Sequence, residues 1–218
     1  MLLVAIGISG FVYLLAATWS VKWLVYLLKP GTMALIILLA AMGLGSHPAP
    51  GYAWAILAGL LFSLAGDIFL MLPRNLFVPG LASFLVAHLY YIYAMWMALP
   101  VRLTVWDLPT GLAMGGYALW MSRRLAAGMK ERGQERLLGP VILYIIVICV
   151  MVWRAAGTLF QPCPLPVSPV LIAVGAVLFG VSDSALGWNR FVRPIPARDM
   201  IVMSTYFAAQ VCLALTVA

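Results

Sequence analysis

The sequence predicts an all-α, polytopic membrane helix bundle with eight transmembrane helices and with both termini on the non-cytoplasmic side. Of its 218 residues, 65% are hydrophobic and only 9% are charged, whereas a soluble domain carries about 25% charged residues. Eight apolar runs recur along the chain, each near the length of about 20 residues that a helix needs to cross the hydrocarbon core. We therefore expect residues 1–218 to form a single transmembrane domain.

Each apolar run is predicted to be a helix rather than a strand, because backbone groups in lipid must be hydrogen-bonded within their own segment. The first run lacks the positive n-region of a signal peptide and is expected to remain as a first span. The fifth run is the weakest, since it contains Pro109, Gly111, Gly115 and Gly116. The runs cover residues 2–20, 25–44, 52–72, 77–99, 106–122, 138–157, 168–188 and 199–217.

The basic residues predict the orientation of these spans. The connections after the odd-numbered spans, with their flanks, hold 11 of the 13 Lys and Arg residues, and only Arg102 and Arg154 lie on the other side. By the positive-inside rule the odd-numbered connections are cytoplasmic. Residues 123–136 (RRLAAGMKERGQER) are predicted to be a solvated loop that anchors this topology, with a lipid-headgroup patch as the alternative. The 11 residues are Lys22, Lys29, Arg74, Arg123, Arg124, Lys130, Arg132, Arg136, Arg190, Arg193 and Arg198.

Charge and cysteine content narrow the function classes. The net charge of +7 is explained by basic cytoplasmic connections and contact with anionic membrane lipids, so we expect no nucleic-acid partner. The three cysteines, Cys149, Cys163 and Cys212, show no CxxC spacing and indicate neither a zinc site nor a disulfide framework.

The most informative residues are two aspartates inside apolar runs. Asp67 lies in GLLFSLAGDIFLMLPR and Asp183 in GAVLFGVSDSALGWNR, and each precedes the next arginine by seven residues. A charged group at membrane depth costs roughly 2.5–3.5 kcal/mol on insertion scales. Such a residue therefore needs a partner or a function, and this pair is predicted at one depth, roughly 10 Å inside the basic belt.

Other polar residues could join the aspartates in a chamber that opens toward the inner leaflet. Each has a structural alternative, because Lys29 could extend to the interface, Tyr206 could be an interfacial aromatic residue, and the serines could bond their own helix. The aspartates themselves could instead form a structural ion pair with Lys29. The candidate substrate-binding or supporting residues are Lys29, Ser63, His88, Tyr91, Ser182, Asn189, Tyr206 and Gln210.

Four motifs together carry a family resemblance. They are GLLFSLAGDIFL (59–70), FLVAHLYYIYAM (84–95), LFGVSDSALGWNRF (178–191) and MSTYFAAQ (203–210), accompanied by Lys29-Pro30. In this order they resemble the YhhN-like lysoplasmalogenase family. The resemblance implies an integral membrane ether-bond hydrolase that cleaves the vinyl ether bond of lysoplasmalogens, releasing a fatty aldehyde and a glycerophospho-headgroup alcohol. It also implies that Asp67 and Asp183 are the catalytic acids.

Two carboxyl groups suit this reaction without a cofactor or a metal. Burial favours the neutral form of an acid and neighbouring acids tend to share a proton, so one would be the general acid and the other the base. Which aspartate has which role stays open, as does the oligomeric state. The expected partners are a lysophospholipid substrate and membrane lipids, and the expected location is a bacterial inner (cytoplasmic) membrane.

Three rival functions remain open from the sequence. Intramembrane acids also serve proton-coupled transporters of small solutes. A metal-dependent intramembrane lipid hydrolase would use His88 with the two aspartates, since His47 falls in a predicted outer loop. A non-enzymatic scaffold would need the aspartates only for assembly.

Overall fold

A computed structural model describes residues 1–74, 76–99, 104–163 and 165–218 of the chain. Within these residues the chain forms eight α-helices and one short 3₁₀ turn at Glu135–Leu137, and no strand. The α-helices are α1 (Leu2–Thr18), α2 (Lys22–Gly43), α3 (Pro50–Met71), α4 (Phe77–Ala98), α5 (Asp107–Glu131), α6 (Leu138–Gly157), α7 (Pro169–Phe191) and α8 (Arg198–Leu215).

Six of the helices close into a ring. Following the helix contacts, α2 packs on α3, α3 on α4, α4 on α6, α6 on α7, α7 on α8, and α8 again on α2. The other two helices lie outside this ring, with α1 against α2 and α8, and α5 against α6 and α7. The main core of buried side chains therefore lies between the ring helices, where an intramembrane site can be shielded from lipid.

The predicted all-α membrane bundle is confirmed, with a qualification on individual spans. Among the described residues, α2, α3, α4, α6 and α7 are long and apolar enough to cross a membrane, and α1 is a shorter apolar helix. Many large apolar side chains on the outer faces are exposed, such as Phe11, Trp54 and Leu112. A helix bundle with such a surface is solvated by lipid rather than water. The orientation of the bundle stays a prediction, and Arg102 lies outside the described residues.

One boundary was predicted wrongly. Residues 123–131, expected to be part of a solvated loop, continue α5 as far as Glu131. Leu125 and Met129 are buried in a second apolar cluster with Phe191. The charged residues of this segment hid an amphipathic pattern, because its apolar residues face α6 and α7 while the basic residues face away.

Gly128 shows how closely the end of α5 packs against the end of α7. A Cβ atom at this position would lie 1.9 Å from the carbonyl oxygen of Phe191, which is a backbone atom and cannot rotate away. Arg132 ties the same helix ends together, because its guanidinium donates to the carbonyl oxygens of Arg190 and Val192, each at 3.1 Å.

We expect Gly128→Ala to lower the free energy of unfolding by about 1–3 kcal/mol, the usual cost of overpacking. Gly115→Ala on the same helix is the control, since no atom lies within 4 Å of its Cβ position. It should be neutral or stabilising, because alanine favours helix over glycine by about 0.5–1 kcal/mol. Thermal unfolding of both variants in one detergent measures the difference, and equal midpoints would contradict this packing.

Candidate active site

Asp67 lies near the end of α3 and is held by two other helices. Its Oδ1 atom is 2.9 Å from the ammonium of Lys29 on α2, and its Oδ2 atom accepts a hydrogen bond of 2.7 Å from the Tyr206 hydroxyl on α8. Only 3% of the Asp67 side chain and 12% of the Lys29 side chain are exposed. Both carboxylate oxygens therefore face donors, one of them charged, which is the arrangement that stabilises an ionised carboxylate.

Asp183 lies on α7 in a different environment. Its Oδ2 atom accepts a hydrogen bond of 2.6 Å from the Tyr144 hydroxyl on α6. The same oxygen is 3.5 Å from Nε2 of His88 on α4. Among the residues that the structure describes, no Lys or Arg comes within ion-pair distance of Asp183. The two aspartates thus differ in the charge of their partners.

The tautomer of His88 follows from its own helix. Its Nδ1 atom lies within hydrogen-bond distance of the Phe84 carbonyl oxygen, which can only accept. Nδ1 must therefore carry a proton, and in the neutral ring Nε2 is an acceptor. Nε2 is buried, makes no hydrogen bond with the described residues and has Oδ2 of Asp183 3.5 Å away, so a proton on the carboxyl group or on Nε2 would give the two groups a favourable contact.

A group of aromatic rings separates both aspartates from the opposite side of the bundle. Phe179 lies at its centre, with ring centroids 4.5 Å from His88, 5.5 Å from Tyr206 and 6.2 Å from Phe84. The Phe84 ring can lie against α3 because Gly66 has no Cβ atom. A Cβ atom at that position would lie only 2.6 Å from the ring. The residue before Asp67 in sequence therefore allows the close approach of α4 that forms this floor.

The two aspartates line one chamber, which has a volume of about 400 Å³. This size falls within the range of roughly 300–1,000 Å³ that is typical of small-molecule sites. Its walls carry the hydroxyl groups of Tyr13 and Tyr206 and the ammonium of Lys29. Lys22, Tyr26, Arg198 and Asp199 also line it, and they are exposed or partly exposed at one end of the bundle, so the chamber opens there.

The structure brings together some of the residues predicted for the site and separates others. Lys29, Ser182 and Tyr206 line the chamber with the aspartates, although the Ser182 hydroxyl donates to the carbonyl of Val202 at 2.9 Å. His88 lies behind Asp183, as described above.

Three predicted residues form a separate buried group below the chamber. The Tyr91 hydroxyl donates to Oε1 of Gln210 at 2.8 Å and lies 3.4 Å from the Ser63 hydroxyl. All three side chains are fully buried, and none lines the chamber. Asn189 is also away from it, because its Oδ1 accepts from the Ile195 backbone at 2.9 Å and stabilises the turn between α7 and α8.

The sequence prediction missed Tyr144, which donates to Asp183, and Lys22, Arg198 and Asp199 at the chamber mouth. Tyr144 is the only residue with a hydroxyl group in the apolar run 138–157, and the one charged residue of that run, Arg154, lies ten residues further on, so no charge near Tyr144 marked it. Lys22 and Arg198 had been counted only as part of the basic belt, and Asp199 had not been considered. Among the described residues no three His, Cys, Asp or Glu side chains come together as a metal-ligand set.

Fold and site together define a polytopic helical membrane protein with an intramembrane acid pair in a chamber open at one end. The particular family is shown by comparison with known proteins. The YhhN family model matches residues 24–217, which include every residue of the acid pair and its partners. The chain belongs to the YhhN family.

Named relatives occur in animals and in bacteria. The human protein named lysoplasmalogenase TMEM86B is 31% identical over 169 residues, which cover 78% of this chain and 66% of the relative. Human lysoplasmalogenase TMEM86A is 32% identical over 200 residues, 90% of this chain and 79% of the relative. The membrane protein YhhN of Escherichia coli O157:H7 is 29% identical over 210 residues, 94% and 92% of the two chains. No solved structure matches the chain.

The ion pair between Lys29 and Asp67 can be tested by a double-mutant cycle. Lys29→Met leaves a buried carboxylate without its cation, so we expect a loss of about 3–5 kcal/mol in unfolding free energy. Adding Asp67→Asn removes the unpaired charge and should recover most of this loss, which makes the two changes strongly non-additive. Thermal unfolding of the four proteins in detergent measures the coupling, and additive effects would show that the pair is not formed.

Proposed function

We propose that this protein is a membrane-embedded hydrolase that cleaves the vinyl ether bond of a lysoplasmalogen. The products are a fatty aldehyde and a glycerophospho-headgroup alcohol. Relatives named lysoplasmalogenase, similar over most of this chain, support the reaction class. The observation that carries the mechanism is that two buried carboxyl groups with different partners line one chamber. We further propose that it lies in a bacterial inner (cytoplasmic) membrane.

Asp67 is the base in this mechanism. Its carboxylate is paired with the Lys29 ammonium and accepts from Tyr206, so it rests in the ionised form. It lies on the polar side of the chamber, where water has access through the mouth lined by Lys22 and Arg198. An ionised carboxylate in contact with water is the group required to remove a proton from the attacking nucleophile.

Asp183 is the acid. Two observations support this assignment: Nε2 of His88, an acceptor in the neutral ring, lies 3.5 Å from the Asp183 carboxyl group, and no described Lys or Arg offsets a negative charge there. Tyr144 donates to the same oxygen and fixes the orientation of the carboxyl group. His88 and Tyr144 are therefore positioning residues, because they act on the substrate only through Asp183.

The reaction follows with balanced protons. Asp183 donates its proton to the alkene carbon that is not bonded to oxygen, which leaves an oxocarbenium ion on the neighbouring carbon. Water adds to that carbon while Asp67 takes one of its protons, giving a hemiacetal. On collapse, Asp67 returns the proton to the departing glycerol oxygen and Asp183 removes the hemiacetal hydroxyl proton. The aldehyde leaves with both carboxyl groups in their starting states.

We expect Asp67→Asn and Asp183→Asn each to reduce aldehyde release by at least ~10²-fold, since each removes a proton-transfer group. Asp107→Asn is the matched control, because Asp107 is also buried but lies at the start of α5 and accepts from the Thr104 hydroxyl at 2.7 Å. Mass spectrometry of the aldehyde made from a lysoplasmalogen by purified protein gives the rates. Undiminished turnover in either variant would exclude the paired-acid mechanism, provided that wild type is active.

The assignment of acid and base predicts different responses to an added carboxylate. In Asp67→Gly, formate can occupy the space beside Lys29 and replace the base, so about tenfold of the ~10²–10⁴-fold loss should return. In Asp183→Gly, formate should have no effect near neutral pH, because it is ionised and has no proton to donate. Rescue of Asp183→Gly alone would reverse the assignment.

A further inference from the structure

We propose that the aliphatic chain of the substrate leaves the catalytic chamber between α5 and α7 and lies in a lipid-facing groove formed by α5, α6 and α7. This inference rests on the proposed function, since it names the path that a lysolipid takes through that site. It begins from two further openings in the structure, neither of which contains Asp67.

The first opening is a narrow apolar cavity of about 50 Å³ that shares a wall with the chamber. Leu70, Phe84, Asp183 and Leu186 border both spaces. The side chain of Asp183 therefore lies where a polar space meets an apolar one. A vinyl ether bond joins a polar glycerol to an apolar chain, so its reacting carbons need an acid at such a boundary.

The second opening is a groove of about 270 Å³ on the outer face of the bundle. Val177 and Val181 on α7 are 48% and 45% exposed there, so the groove is in contact with membrane lipid. Tyr117, Ile148, Cys149 and Ser184 border both the cavity and the groove. The cavity beside Asp183 and the lipid-facing groove therefore lie on opposite sides of one wall, which these four residues form.

The contacts between α5 and α7 suit a side opening. They are tight at the end of the bundle that carries the chamber mouth, where Gly128 touches the Phe191 backbone. Further along α7, Trp120 stacks on Trp188, and beside the groove the Tyr117 hydroxyl is bonded to the Ser184 hydroxyl, which in turn donates to the Gly180 carbonyl. At the wall shared by the cavity and the groove, the polar closure is therefore a single bond between two hydroxyl groups, worth about 0.5–1.5 kcal/mol, which can open locally while the rest of the α5–α7 packing stays in place.

The direction of the groove also matches that of a lipid. The mouth of the chamber lies at the end of the bundle that carries Lys22 and Arg198, where a phosphate group would be attracted. From Asp183 the groove runs back along α7 through Gly180 and Val177, away from that end. A lysolipid with its headgroup at the mouth would therefore direct its chain toward the bilayer midplane, as lipids do.

The proposed path can be tested by a substitution that fills the groove and leaves Asp67 and Asp183 unchanged. In Gly180→Leu the new Cβ atom would lie 3.4 Å from Val152, an ordinary contact, and its outer atoms would occupy the groove. Gly116→Leu is the matched control, because its Cβ position has no neighbour within 4 Å and does not line the groove. The substrates are two choline lysoplasmalogens, one with a 16-carbon alkenyl chain and one with a four-carbon chain that ends before the groove.

We expect Gly180→Leu to lower kcat/KM for the long chain by about tenfold or more, the usual effect of blocking an apolar subsite. The short chain and the Gly116→Leu control should stay within about twofold of wild type. An equal loss on both substrates, or no loss on either, would overturn the proposed path. Thermal unfolding of each variant verifies that it is folded.

A second measurement needs no turnover, so that failure of the path and failure of the proposed function can be told apart. A saturated alkyl ether lysolipid with a terminal diazirine cannot be hydrolysed by carbon protonation but should occupy the same path. On illumination we expect crosslinks to Met114, Val152 or Val177. Crosslinks confined to other helices would refute the path, whereas correct crosslinks with no aldehyde from wild type would refute the hydrolase and leave the lipid site.

Discussion

The structure depends on one constraint, namely that a carboxyl group inside a membrane must find its partners within the protein. Asp67 on α3 finds them on α2 and α8, and Asp183 on α7 has its partners on α4 and α6. These are the six helices of the ring. Each contributes one polar group, so one carboxyl group links α2, α3 and α8 and the other brings α4, α6 and α7 together, while α1 and α5 outside the ring contribute none of these contacts.

The two aspartates have different surroundings, and the proposed mechanism gives them different roles for that reason. Lys29 supplies a positive charge to one aspartate, and the Nδ1 proton of His88 turns an acceptor toward the other. Because charge is poorly solvated in the membrane, a nearby ammonium or lone pair decides which carboxyl group keeps a proton. A buried ion pair is weak evidence for a gain in stability. We therefore attribute the presence of Lys29 and Asp67 to the proposed chemistry rather than to folding.

The arrangement of spaces matches an amphiphilic substrate. Asp67 lies only on the chamber, while Asp183 borders both the chamber and the apolar cavity. In the proposed mechanism, the base would thus face the water that it activates, and the acid would face the boundary where a chain joins a headgroup. Aromatic residues around Phe179 close the chamber from the other side of the bundle, which favours a dead-end reaction site over a pathway for solute across the membrane.

Much of the architecture was determined by the sequence alone. Hydrocarbon demands long apolar helices, so composition and run length predicted the membrane bundle and placed most helix boundaries within a few residues. The cost of an acid in lipid marked Asp67 and Asp183, and helical rise placed Lys29 and Tyr206 at the same depth. Residues 123–131 were misjudged because their charges concealed a face that only packing against α7 reveals.

Tertiary structure alone decided which polar groups meet. Depth along a helix follows from sequence spacing, but the direction a side chain faces across the bundle depends on how the helices are arranged in the ring. That arrangement brought Tyr144 to Asp183, placed Lys29 on Asp67 only, and sent Ser63, Tyr91 and Gln210 into a group of their own. Rotation and neighbour choice are set by the packing of many apolar side chains at once, and no single motif in the chain encodes them.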